Sequence, residues 1–164
     1  MKAKGKSFAY ETALALTLTA GLSLTGQAAP VRVVIFNTCG PDSFVHPIAQ
    51  QVPFIKKMFQ SPSTANLNNP VIPADGFVVD SVGPAAHGST TDGHALIDAL
   101  ATHDVVLCAN NTDFSKLFTT TDQLTFQAWI AKKGHGVVAF HGASDDNGNW
   151  PWKMNFFGAK FTGL

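Results

Sequence analysis

GHGVVAFHGASDDNGNWPW, residues 134–152, has the pattern of a buried strand that opens onto a polar loop. Gly136 to Phe140 is a short apolar run that ends at His141 and gives way at once to Gly142, small residues, two acids and two tryptophans. A strand buried on both faces reads as such a run, and it delivers the next side chains to its carboxyl edge. The residue at the delivery point is a histidine, not a serine or a cysteine.

Working outward, three more apolar runs have the same character. Val31 to Phe36 ends at Asn37, Phe77 to Val82 at Gly83, and Asp104 to Ala109 at Asn110. Helical spacing separates them. Ile48, Val52, Ile55 and Phe59 recur at one face, with Pro47 in the first turn and Pro53 expected to kink the helix or restart it. Leu96, Ile97 and Leu100 predict a short helix over 94–101, after a loop over 83–91. Thr120 with Gln123 fits a capping box for a helix carrying Leu124, Phe126, Trp129 and Ile130, which stops at Lys132-Lys133-Gly134. Residues 61–74, rich in Pro, Asn and Ser, read as a loop.

Strands alternating with helices imply right-handed crossovers and a parallel sheet. The expected architecture is an α/β, flavodoxin-like, three-layer fold with strand order 2-1-3-4. Its functional edge lies at the carboxyl ends of the strands, near the switch point between strands 1 and 3.

Composition fits this class. The chain has 164 residues, 45% of them hydrophobic and only 13% charged, which suits one domain with a buried sheet. Residues 1–28 read separately, as a secretory signal: Lys2, Lys4 and Lys6 precede an apolar run from Ala13 to Leu24, and Gly26-Gln27-Ala28 offers a cleavage site. That places the mature domain at 29–164 and its destination outside the cytoplasm. Removing three lysines and one glutamate from eleven of each sign leaves eight basic and ten acidic residues. No basic stripe remains, so a nucleic-acid partner is not expected, nor a membrane beyond the signal itself. No Gly-rich phosphate loop is present, so no nucleotide cofactor is expected. Cys39 and Cys108 could pair in an oxidising compartment, or Cys108 could stay a buried free thiol inside its strand.

The candidate site residues follow from the expected edge. His141 reads as a general base, a ligand for a divalent metal or a structural hydrogen bonder. His46 either joins it or merely opens a helix. Asp145 either orients His141, acts as a second ligand or belongs to a solvated turn. His46, His141 and Asp145 are thus the catalytic and metal candidates. Asn110 and Asn111 offer neutral donors and acceptors suited to a polyol. Trp150 and Trp152 suit the apolar faces of sugar rings, or else cap the core. His87, His94, His103 and His135 read as surface residues.

Four elements together carry a resemblance: Phe44-x-His46; Gly76-Phe77-x-Val79-Asp80; Leu100-x-x-His103-Asp104-Val105-Val106 leading to Asn110-Asn111-Thr112; and Gly134-x-Gly136-Val137-Val138-x-Phe140-His141-x-Ala143-x-Asp145 with Trp150-Pro151-Trp152 and Phe157-Gly158-Ala159-x-Phe161. Over residues 31–164 the chain resembles the ThuA-like, trehalose-utilisation family, which has the class I glutamine amidotransferase-like fold. The approach to His46 and the placement of Pro53 depart from that family's pattern. The resemblance also stops at Leu164, where such domains continue with further strands, so the chain reads as an amino-terminal portion. Strand 4 would then be an edge, and marginal stability or self-association is the expectation.

The resemblance implies a carbohydrate or related polyol as ligand, without defining a reaction. An enzyme of this kind would be His-dependent, with His141 as a base or as the ligand of an assisting divalent metal. A Cys-dependent amidotransferase is not expected, because His141 stands where the nucleophilic cysteine would be. The alternatives are a non-catalytic carbohydrate-binding or accessory module, and an incomplete domain without activity of its own.

Overall fold

The structure is a computed structural model and describes residues 29–40, 48–60, 76–109, 111–144 and 150–157. Four parallel strands, β1 (Val31–Phe36), β2 (Phe77–Val82), β3 (Val105–Ala109) and β4 (Gly136–Phe140), form one sheet in the order β2-β1-β3-β4. This is the flavodoxin-like order expected from the sequence. The registers Phe36↔Cys108 and Ala109↔Phe140 bring the carboxyl ends of β1, β3 and β4 level with one another.

Helix α1 (Ile48–Gln60) lies on one face of the sheet and buries Val52 against Val33, Ile35, Leu107 and Ala109. Pro53 lies inside a continuous helix and does not restart it. Its ring is exposed, and a proline there leaves the carbonyl four residues earlier, at Ala49, without its helical donor.

The opposite face is larger and aromatic. Helices α2 (Thr90–Ala99), α3 (Thr120–Ile130) and α4 (Pro151–Phe157) enclose Val34, Phe36, Val106, Leu96, Phe114, Phe118, Phe126, Trp129 and Trp150. α2 starts four residues before its expected position. Ser89 and Asp92 form a reciprocal capping box there, which the sequence carried as Ser-x-x-Asp. Gly93 inside α2 is buried, and a Cβ on it would strike the Leu117 carbonyl, so this helix crosses the Phe114–Leu117 turn at backbone contact. α3 also starts one residue early, with Thr119 and Asp122 as its capping box instead of Thr120 and Gln123. Gly134 ends the connection to β4 with φ +94°, as its place after Lys132-Lys133 suggests.

β4 is the outer strand of the described sheet. Its Val137 and Ala139 pack into the aromatic side, while Val138 and Phe140, on the α1 side, are exposed.

Candidate functional site

The loop that leaves β1 is clamped between the loops that leave β2 and β3. Asn37 N donates to the Val82 carbonyl, Cys39 N to Ala86, and Gly88 N to Cys39. Gly40 N donates to the Thr112 carbonyl at 2.8 Å, and His87 Nδ1 donates to the Gly40 carbonyl at 2.8 Å. A Cβ on Gly40 would lie 2.7 Å from the Asp113 carbonyl oxygen, so the β1 and β3 loops meet backbone to backbone. Asp113 sits in the left-handed region at φ 52° and holds Lys116 at 3.2 Å.

Three neutral side chains gather where β1 and β3 part. Asn111 is fully buried, and its Nδ2 donates to the carbonyls of Phe36 at 2.9 Å and Thr38 at 2.7 Å. The Asn37 amide, turned with its nitrogen toward Gly83, donates to that carbonyl at 2.8 Å. Thr38 is fully buried beside Gly83, and the Thr38 hydroxyl and the Asn111 Oδ1 have no hydrogen-bond partner among the described residues. Buried polar atoms without partners are costly and rare. Two of them at a topological switch point mark it as the most unusual polar spot among the described residues.

The expected site residues separate here. Asn111 takes its place at the carboxyl edge, though as a buried support of the β1 loop: the orphan carbonyls at the end of β1 need a donor. His141 begins a short 3₁₀ turn, His141–Ser144, directly after β4, so its backbone lies at the same edge. His46, Asn110, Asp145 and the His141 side chain lie outside the description. Among the described residues, no group of three His, Cys, Asp or Glu side chains could hold a metal.

The two tryptophans part company. Trp150 is 2% exposed and stacks on Phe114 at 6.0 Å and 7°, with Phe118 and Phe126 also against it. A direct ligand contact for Trp150 does not fit this packing; it anchors α4 in the core, because three phenylalanines distant in sequence converge on it. Trp152 is only half buried.

All four histidines read as surface residues have hydrogen-bond partners; His87 and His94 are exposed, His135 is half-buried, and His103 is the buried one. His103 is buried, with Nδ1 at 2.7 Å from the Ala99 carbonyl and Nε2 at 3.1 Å from Asp80. His135 lies flat on Trp129, ring centroids 4.4 Å apart, and bonds the Trp129 carbonyl. His94 Nδ1 bonds Asp122 at 2.8 Å across α2 and α3. That bond, then the charges of Asp122 and Asp98, raise the His94 pKa. For Asp122 burial acts upward, but hydrogen bonds from Thr119 and His94 outweigh it and hold the carboxyl below its ordinary value.

Cys39 and Cys108 are both buried, and they are not joined in a disulfide. Burial pushes the Cys108 thiol up to about 12, opposed only in part by the charge of Lys153. At neutral pH it is a thiol and not a nucleophilic thiolate.

No helix among the described residues is long and apolar enough to cross a membrane. Comparison of the chain with protein-family profiles, with curated proteins and with solved structures finds no match.

Proposed function

We propose that this is an exported, ThuA-like domain that binds a carbohydrate or related polyol at the carboxyl edge of its sheet, over β1, β3 and β4. The observation that carries the reading is the set of neutral hydrogen-bonding groups at the β1–β3 switch point, Asn37, Thr38 and Asn111: two of them bury an acceptor atom that lacks a partner among the described residues, so a sugar hydroxyl would be read there through a bridging water or through the loop backbone they hold, not by direct contact. Open α/β sheets bind ligands at such a crevice. Neutral amides and hydroxyls match sugar hydroxyls better than they match phosphate or carboxylate. His141 is the residue at this edge able to act as a base or to bind a divalent metal, with His46 and Asp145 as its assistants. The raised pKa of the Cys108 thiol speaks against thiol chemistry.

The test is calorimetric titration of purified protein with a panel of mono- and disaccharides, with and without divalent cations, beside His141→Ala. Saturable sugar binding that His141→Ala weakens is the expected result. Binding of no panel member, or binding that His141→Ala leaves unchanged, would refute the reading. Export has its own check. Sequencing of the secreted protein is expected to start at Ala29, and an intact Met1 would contradict cleavage.

A further inference from the structure

The aromatic residues of α4 divide into an inner and an outer set. Trp150, just before the helix, is sealed in the core. Trp152 and Phe156, four residues apart on α4, stack on one another, with ring centroids 5.0 Å apart and planes within 15°. Trp152 is braced from behind by Trp150 at 5.4 Å and by the edge of Phe126 at 6.2 Å. Phe157 meets Phe156 edge-on at 5.1 Å. Phe156 nevertheless remains 46% exposed. The stack is therefore fixed on its inner side and open on its outer side.

Within α4 itself no charge is exposed. The one ionisable residue of α4, Lys153, is buried, and its Nζ lies 5.0 Å from the Phe114 ring centre and 5.8 Å from that of Phe157. The exposed residues of α4 are Pro151, Asn155 and Phe156, so an uncharged amide stands beside the open ring. α4 itself starts against Phe114, in the turn that follows the carboxyl end of β3.

We infer that the Trp152–Phe156 stack is a carbohydrate subsite, in which a pyranose lays its apolar face on the open side of Phe156 and directs a hydroxyl to Asn155. A ligand for this surface must combine a flat apolar face with a neutral polar rim, and a sugar ring does. An aromatic ring already held in place loses little freedom on binding, which favours affinity. This subsite rests on the carbohydrate reading given above and extends it from the switch point to α4.

The experiment uses the full chain and cellotriose, whose rings are all-equatorial and present apolar faces. Titrations followed by calorimetry and tryptophan fluorescence compare wild type, Phe156→Ala, Phe156→Trp and His141→Ala, with thermal melts to confirm folding. Phe156→Ala is expected to bind about tenfold more weakly, the scale of one lost aromatic contact, with an unchanged melt, and Phe156→Trp to bind at least as well as wild type. If Phe156→Ala binds like wild type while His141→Ala does not, the subsite is wrong and the carboxyl-edge reading stands. If Phe156→Ala loses binding while His141→Ala keeps it, the subsite stands and the edge reading fails. No cellotriose binding by wild type, or a wild-type dimer that Phe156→Asp converts to monomer, would overturn the subsite.

Discussion

The two ends of the sheet treat their polar groups in opposite ways. At the amino end, polar side chains find partners. Asp104 accepts from the Arg32 amide at 2.8 Å, Asp80 meets both Arg32 and His103, and the His103 ring bridges Asp80 and the Ala99 carbonyl. At the carboxyl end, the backbone is tied as tightly, yet Thr38 and Asn111 each bury an oxygen without a partner. The first pattern serves stability. The second spends stability, and such an arrangement is found where a protein binds or reacts.

The contrast can be broken by substitution. The largest effect is expected at Trp150, the core anchor of the carboxyl end. Trp150→Ala is expected to cost about 3–5 kcal/mol in urea unfolding, the range for emptying a large aromatic site. A loss of sugar binding with undiminished stability would return Trp150 to the ligand. Next comes the amino end. His103→Ala removes a buried bridge and is expected to cost about 1–3 kcal/mol without changing sugar affinity. An unchanged unfolding midpoint would mean that the bridge is idle. Thr38→Val sharpens the comparison most. It replaces a hydroxyl that has no partner by a methyl group, so stability is expected to hold or rise by up to about 1 kcal/mol, while sugar binding weakens. A clear loss of stability would show that the hydroxyl is satisfied after all.

The smallest effect lies away from both ends, in the His94–Asp122 bond between α2 and α3. The raised His94 pKa means that its contribution is complete below the ordinary histidine value of 6.5 and is lost as pH rises through the higher folded value. The lowered Asp122 pKa means that its contribution is complete above 3.8 and is lost as pH falls through the lower folded value. Melting curves of wild type against His94→Ala should therefore differ most between these limits and converge above neutrality. A difference that persists undiminished into alkaline pH would exclude the bond as the cause.

Much of this was legible in the sequence, and what was not has a common origin. Four apolar runs bounded by Asn and Gly disclosed the strands, and the βα alternation disclosed their order. The start of α2 was missed because Thr90, Thr91 and Gly93 carry no apolar periodicity, although Ser89-x-x-Asp92 marked the cap. At the site, placement depended on contacts made far along the chain. Trp150 and Trp152 flank the same proline, and only Phe114, Phe118 and Phe126 decide that the first is core. His103 reads as a helix-end residue until Asp80, on another strand, closes over it. Asn111 was correctly placed at the edge, but its role as a donor to the end of β1 depends on the β1–β3 pairing. Phe156 was not singled out, and its signal was the Trp-x-x-x-Phe spacing on α4.

The central claim is that the ligand sits at the carboxyl end of the sheet. The most direct measurement is a map of backbone amide shifts in isotope-labelled protein as cellotriose is added. Changes are expected at Thr38, Gly40, Asn111 and Gly142, continuing to Asn155 and Phe156 on α4, with Arg32, Asp104 and Gly136 still. Changes centred on Arg32, Asp104 and Gly136, or none anywhere at saturating sugar, would contradict it.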